Sequence, residues 1–182
     1  MQQFMKFDTT LTFSSDRLKF IIVNDQYVED IFNALTPTVA KFLPFIPTGK
    51  KEDTYGFVAY SLGQLEKEKD ITLLATDKET GEFIGCCGIH DICEESISIG
   101  LWLKESANGK GYGTELVKAL EQFVFDHLAV DYLIYNVERN NAGSINIAEK
   151  LGYAYHSSFE RKISEDKVLD MLHYRKANLA KQ

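Results

Sequence analysis

Leu101-Trp102-Leu103-Lys104-Glu105-Ser106-Ala107-Asn108-Gly109-Lys110-Gly111-Tyr112-Gly113-Thr114-Glu115 reads as a strand that passes through a glycine-rich turn into a helix. Gly109, Gly111 and Gly113 stand at alternate positions, so the backbone can approach a ligand closely and adopt dihedrals other residues avoid. The first turn of the helix leaves several N–H groups without intrahelical partners. Together with the helix dipole they form a site for phosphate. Lys110 adds a positive charge and Thr114 a hydroxyl donor. This is not a Walker A loop, because Gly109-Lys110 is followed by Gly111 and not by Ser or Thr. Nor is it a dinucleotide fingerprint: the glycines are too compressed and come too late in the chain.

Working outward, apolar periodicity predicts a helix over 111–127, with Leu116, Leu120, Phe123, Val124 and Leu128 facing inward. A strand over 132–137 then leads through Arg139-Asn140-Asn141-Ala142-Gly143-Ser144 into a short helix over 144–151, ended by Gly152. Asn141 and Ser144 both suit that helix start as caps. Upstream, strands are expected over 71–76, 82–90 and 97–103, the first two joined by the turn Asp77-Lys78-Glu79-Thr80-Gly81. A first strand is expected over 17–23, followed by a helix from Asn24 or Asp25 to about Leu35. Pro37, Pro44 and Pro47 are read as breaks, leaving Phe42-Leu43-Pro44-Phe45-Ile46-Pro47 as an apolar loop, either a lid or one wall of a substrate groove. A long helix over 51–69 has Phe57, Tyr60, Leu62 and Leu65 as candidate buried positions. Strands over 153–159 and 168–174 close the chain. The order is that of one mixed α/β domain across 1–182, with an antiparallel first part.

Composition narrows the classes. The 182 residues are 45% hydrophobic and 26% charged, ordinary for a soluble globular protein. The formal net charge of -7 argues against non-specific nucleic-acid binding, which needs clustered Lys and Arg. No apolar run is long enough to span a membrane, and the first residues lack the pattern of a signal peptide, so a soluble cytoplasmic protein is expected. Cys86, Cys87 and Cys93 have no metal-ligand spacing and are expected to be buried or semi-buried reduced thiols. Cys86 and Cys87 are adjacent in a strand and should point to opposite faces.

Two blocks carry a resemblance. Gly111-Tyr112-Gly113-Thr114-Glu115 is similar to the cofactor loop of the GCN5-related N-acetyltransferase (GNAT) superfamily. Asn141-Ala142-Gly143-Ser144, followed by Ala148-Glu149-Lys150-Leu151-Gly152-Tyr153, resembles its RimJ/RimL branch, which acetylates protein N-termini, those of ribosomal proteins included. Ser15-Asp16-Arg17-Leu18 and Gly88-Ile89-His90-Asp91-Ile92 resemble strands of the same branch, so the likeness covers nearly the whole chain in order. It implies a mostly antiparallel central sheet with a splayed pair of strands, flanked by helices.

It also implies an acetyl-CoA-dependent N-acetyltransferase. The pantetheine arm would lie along Leu101, Trp102 and Leu103. The loop Asn108-Gly109-Lys110-Gly111-Tyr112-Gly113-Thr114 would hold the pyrophosphate. Asn141 would bond the pantetheine, Ser144 would lie near the thiol, and Lys150 would approach the nucleotide end. The chain departs from the family in three places. Asn108 stands where Arg or Gln usually opens the loop. Ser98-Ile99-Gly100-Leu101-Trp102 stands where Glu-Ile-Gly-Tyr-Trp is common. Ala148, as is usual in the RimJ/RimL branch, stands where many members place a Tyr acid, which points to Ser144 in that role. Candidates for the base are His90, Glu94 and Glu95; an unperturbed imidazole, near 6.5, has the most suitable pKa. The acceptor is a primary amine, by family default a protein N-terminus, with a small amine, polyamine or antibiotic as the alternative. A non-catalytic acyl-CoA-binding module is the competing reading. Monomers and homodimers are both compatible with the fold.

Overall fold

In the computed structural model, which describes residues 7–179, eight strands form one sheet in the order β1-β2-β3-β4-β5-β6-β8-β7. They are β1 (Thr12–Ser14), β2 (Leu18–Ile22), β3 (Ile71–Asp77), β4 (Phe83–His90), β5 (Ser96–Leu103), β6 (Tyr132–Glu138), β7 (Ala154–Lys162) and β8 (Val168–Ala177). Every pairing is antiparallel except that of β5 with β6. The helices are α1 (Val28–Ala34), α2 (Pro37–Ala40), α3 (Lys51–Glu66), α4 (Tyr112–His127) and α5 (Ala142–Lys150).

The sheet centre is buried on both faces, which is why β3 and β4 read as continuous apolar runs and not as alternating ones. Cys86 and Cys87 mark the two layers. Cys86 packs with Val28, Ile31 and Val58 under α1 and α3. Cys87 joins the larger core with Leu116, Leu120 and Val124 of α4 and Ala148 of α5. Burial pushes both thiols up, so neither is a nucleophile at neutral pH. Cys93, by contrast, is exposed in the turn before β5, because that turn lies outside the sheet.

The positions expected to face inward on α4, and Leu128 just beyond it, are all buried. Other expectations need correction. The strand expected first is β2; β1 precedes it, three residues long and too short to leave a periodic signal. The helix expected from Asn24 begins as a single 3-10 turn, Asp25–Tyr27, capped by the Asn24 side chain. Pro37 does not break the chain but starts α2, where a missing N–H costs nothing, and the Thr36 hydroxyl caps that turn. On α3 the buried row is Thr54, Val58, Ser61 and Leu65, while Tyr60 is 64% exposed. Thr54 and Ser61 share that buried face with Val58 and Leu65, while Phe57 and Leu62 are half-buried against the core.

Candidate functional site: a splayed strand pair beside a glycine turn

β5 and β6 run together only from Ser96 to Ile99, paired with Tyr132 to Tyr135. Beyond that rung β5 continues to Leu103 paired only with β4, and β6 continues to Glu138 paired only with β8. A wedge therefore opens between them. Lys104 N–H donates to Ile84 on β4 at 3.0 Å. Amide direction alternates along a strand, so the N–H and C=O groups of Leu101 and Leu103 face the wedge. Across it, Arg139 N–H donates to the Asp170 carbonyl on β8 at 2.8 Å, which turns the backbone groups of Asn136 and Glu138 toward the same gap. Sheet groups without a strand partner are ready-made docking points for an extended ligand.

The glycine turn stands at the β5 side of this wedge. Ala107 ends a 3-10 turn, and Asn108, Gly109 and Lys110 are exposed. Gly111 is the N-cap of α4 with φ of 81°, and no side chain caps the helix. The first N–H groups of a sixteen-residue helix are thus open, with the positive end of its dipole behind them. A Cβ on Gly109 would meet nothing within 4 Å, so space for a ligand lies against the backbone there. Gly113 differs: its added Cβ would sit 2.8 Å from Ile147 Cδ1, so this glycine lets α4 approach α5.

Arg17, not expected as a site residue, braces the turn. Its Nε donates to Glu115 Oε2 at 2.7 Å, its Nη1 donates to the Lys110 carbonyl at 3.0 Å, and its guanidinium lies 4.3 Å over the Tyr112 ring. Glu115 also accepts from Arg17 N–H and from the Ser15 hydroxyl, each at 2.7 Å. Partial burial pushes the Glu115 carboxyl up, but the bonds from Ser15 and Arg17 outweigh it and hold the group below its usual range. A carboxylate lowered in this way keeps its bonds at neutral pH and loses them as pH falls through its lowered pKa. Arg17→Ala is expected to weaken acetyl-CoA binding about fivefold at pH 7, since one charge-assisted bond, half exposed, is worth roughly 1 kcal/mol. Calorimetry checks this, and an unchanged affinity would show that the turn needs no brace.

At the apex of the wedge stands Ser144, third residue of α5. Asn141 caps that helix by accepting from Ser144 N–H at 3.2 Å, so the cap uses the serine backbone and leaves its hydroxyl free for other work. That hydroxyl lies near the phenol of Tyr135, the last β6 residue paired with β5; burial pushes the phenol up and the neighbouring Ser144 hydroxyl draws it partly back. Glu138 is buried and accepts from Asn140 N–H and Nδ2, which fixes the turn delivering α5. Ala148 is fully buried against the core, and Lys150 is exposed at the far end of α5.

His90 is opposite Ser98 in the β4–β5 ladder, and its ring covers Gly88 and Gly100 on the α1/α3 face of the sheet, beside the point where the strands part. Its Nδ1 is 3.7 Å from Asp70 Oδ1, and the nearby imidazole, with the bond from Asp91 N–H, holds that carboxyl below its usual range. Glu94 and Glu95 are not brought to the wedge. They precede β5 at its closed end, and Glu95 accepts from the Tyr132 hydroxyl at 3.2 Å. Four strand residues, about 13 Å, separate Glu95 from the last shared rung. Trp102, Leu101 and Leu103 are half-buried along the open part of β5. Among the described residues no cluster of His, Cys, Asp or Glu has metal-binding geometry. No helix is long and apolar enough to cross a membrane, among the same residues.

Residues 17–154 match the family described as the acetyltransferase (GNAT) domain. The chain belongs to the GNAT acetyltransferase family. The acyl donor of that family is acetyl-CoA, and the groups around the wedge suit it: a helix end without a side-chain cap at one mouth, strand groups beyond the last shared rung along the sides, and a hydroxyl near the apex. Curated relatives of this GNAT chain include the uncharacterized protein YkkB of Bacillus subtilis, 31% identical over 100 residues, 53% of this chain and 58% of that one. The uncharacterized N-acetyltransferase p20 of Bacillus licheniformis is 35% identical over 78 residues, 42% of this chain and 44% of that one. The chain thus spans about half the length of the curated relatives it matches. Among solved structures, an acetyltransferase from Salmonella typhimurium that modifies the N-terminal serine of ribosomal protein L7/L12 has a TM-score of 0.78 at 16% identity, covering 90% of this chain and 96% of that one. A microcin C7 self-immunity acetyltransferase, in complex with acetyl-CoA and AMP, has a TM-score of 0.76 at 19% identity, covering 89% and 93%. At these identities the likeness is one of fold.

Proposed function

We propose that this GNAT chain transfers an acetyl group from acetyl-CoA to the α-amine of a protein N-terminus, by direct attack within a ternary complex. The observation that carries the reading is the parting of β5 and β6 beyond Ile99 and Tyr135, with the glycine turn at one mouth and the Ser144 hydroxyl at the apex. Bound acetyl-CoA supplies an acyl group activated as a thioester. The remaining work falls to this chain's own residues. Backbone N–H groups at residues 109–114 hold the pyrophosphate, and the open edges of Leu101 and Leu103 hold the pantetheine arm. Asn141 Nδ2 and Lys150 are assigned the flanking contacts. The Ser144 hydroxyl, near the Tyr135 phenol, is assigned to donate to sulfur as negative charge gathers there.

The amine must lose a proton before it can attack. His90 is proposed as the acceptor of that proton: with Nδ1 turned to the Asp70 carboxylate, its Nε2 is the basic nitrogen. Glu94 and Glu95 are not assigned that role, being at the closed end of β5. Cys86 and Cys87 are sealed in the core, so no acyl-enzyme step is invoked. The acceptor enters over the face that carries His90, beneath the loop at 40–47. That loop is tied to the β7–β8 turn by Lys167, whose Nζ donates to the carbonyls of Ala40, Leu43 and Phe45 at 3.0, 2.8 and 2.9 Å.

The acceptor class is tested by comparing kcat/KM for peptides with a free N-terminus, the same peptides with a blocked N-terminus and an internal Lys, spermidine, and an aminoglycoside. Free N-terminal peptides are expected to lead. A small amine or aminoglycoside in first place would overturn the acceptor reading and leave the acetyl-CoA site standing.

A further inference from the structure

The acceptor face holds a second polar group of residues that the chemistry above does not use. Arg175 on β8 lies with its guanidinium 4.5 Å over the Tyr132 ring. Its Nε donates to His173 Nε2 at 2.9 Å, and His173 Nδ1 lies 2.9 Å from Asn136 Oδ1. The arginine end fixes where the protons are. A guanidinium nitrogen can only donate, so His173 Nε2 is bare and the imidazole carries its proton on Nδ1. Burial, and then the charges of Arg175 and His156, push the His173 pKa down, in keeping with a neutral ring. Because Nδ1–H donates, the Asn136 atom that meets it is the amide oxygen. The Asn136 amide nitrogen is therefore turned away from His173, and it has no partner among the described residues.

The place of Asn136 makes this useful. It is the first β6 residue past the last rung shared with β5, and it lies across from His173 in the β6–β8 ladder. Ile134 is paired with Ser98, and Ser98 with His90, so by strand alternation Asn136 shares the face of His90 and Gly100. A neutral donor of fixed orientation thus stands next to the apex of the wedge, on the side from which the amine arrives. His173 itself is excluded as a base, since its only lone pair is occupied by Arg175.

We infer that Asn136 sets acceptor specificity by donating an amide N–H to the carbonyl oxygen adjacent to the amine of an α-aminoacyl acceptor, with His173 and Arg175 as its positioning residues. The inference rests on the N-terminus reading above. A peptide N-terminus carries that carbonyl one carbon away from the amine-bearing carbon, whereas an alkylamine or polyamine has none. A site arranged to bond a polar group discriminates strongly against analogues that lack it.

The test measures kcat/KM for a tripeptide with a free N-terminus and for propylamine, together with acetyl-CoA affinity and melting temperature. Asn136→Ala is expected to lower the tripeptide value about five- to hundredfold and leave the propylamine value and acetyl-CoA affinity unchanged. Asn136→Asp keeps the shape but offers no donor, and is expected to fail equally. His173→Ala releases the amide to rotate and should give a smaller loss of the same kind. Imidazole ¹⁵N spectra of the unaltered protein at pH 7 should show His173 neutral, with Nδ1 protonated and Nε2 bare. Equal losses for both acceptors, unchanged tripeptide kinetics, or a His173 proton on Nε2 would each overturn the inference. An unaltered protein that uses propylamine but not the tripeptide would overturn the N-terminus reading and this inference together. Normal peptide turnover that ignores Asn136→Ala would overturn this inference alone.

Discussion

Gly111→Val is expected to weaken acetyl-CoA binding by more than about a hundredfold, with circular dichroism unchanged. Gly111 has φ of 81° at the N-cap of α4, a conformation that a β-branched residue avoids. Returning to negative φ swings the N–H groups of the turn off the direction they now share. Two charge-assisted bonds to phosphate, each worth roughly 1.5–3 kcal/mol, are enough to account for that loss. The new side chain itself has room, for its Cβ would meet only an Arg17 nitrogen at 3.5 Å. Gly113→Val should act differently. Its Cβ presses on Ile147, so the melting temperature falls, and any effect on binding comes through a displaced α5. Unchanged affinity for Gly111→Val in calorimetry would remove the turn from the cofactor site.

Ser144→Ala is expected to lower kcat roughly tenfold to a thousandfold, the range for a positioned donor or acid, with little change in acetyl-CoA affinity. A hydroxyl that bonds sulfur more strongly as charge builds acts on the transition state, and so on turnover. The geometry separates this from helix capping. Asn141 accepts from the Ser144 backbone N–H, so the substitution leaves the cap in place and the melting temperature close to that of the unaltered protein. Tyr135→Phe should produce a smaller loss, because the serine remains and only its polar neighbour is removed. A rise in KM for acetyl-CoA with kcat unchanged would make Ser144 a binding contact only.

Much of the local structure around this candidate site was legible because its signals are local. The glycine spacing at 109–113, the periodic row Leu116, Leu120, Phe123 and Val124, and the Asn141 cap all lie within a few residues of what they organise. The parts that were not legible are made by contacts far apart in sequence. Arg17 reaches Lys110 and Glu115 across more than ninety residues, and Lys167 reaches the loop at 40–45 across more than a hundred and twenty. The Arg175–His173–Asn136 series depends on the register of β6 against β8, which no sequence period sets. Spacing gave no guide where a residue's neighbours decide its direction. His90 and the pair Glu94 and Glu95 are close in the chain, yet the turn between β4 and β5 leaves the histidine beside the wedge and carries the carboxylates to its closed end.

The most direct measurement mixes the purified chain with acetyl-CoA and a peptide bearing a free N-terminus, following released thiol by absorbance and the peptide by mass spectrometry. Thiol and acetylated peptide should appear in equal amounts, with the acetyl group on the α-amine and neither product formed when the peptide is withheld. Thiol release that ignores the acceptor, or no acetylated product across peptides and small amines alike, would contradict the assignment of this chain as an N-acetyltransferase.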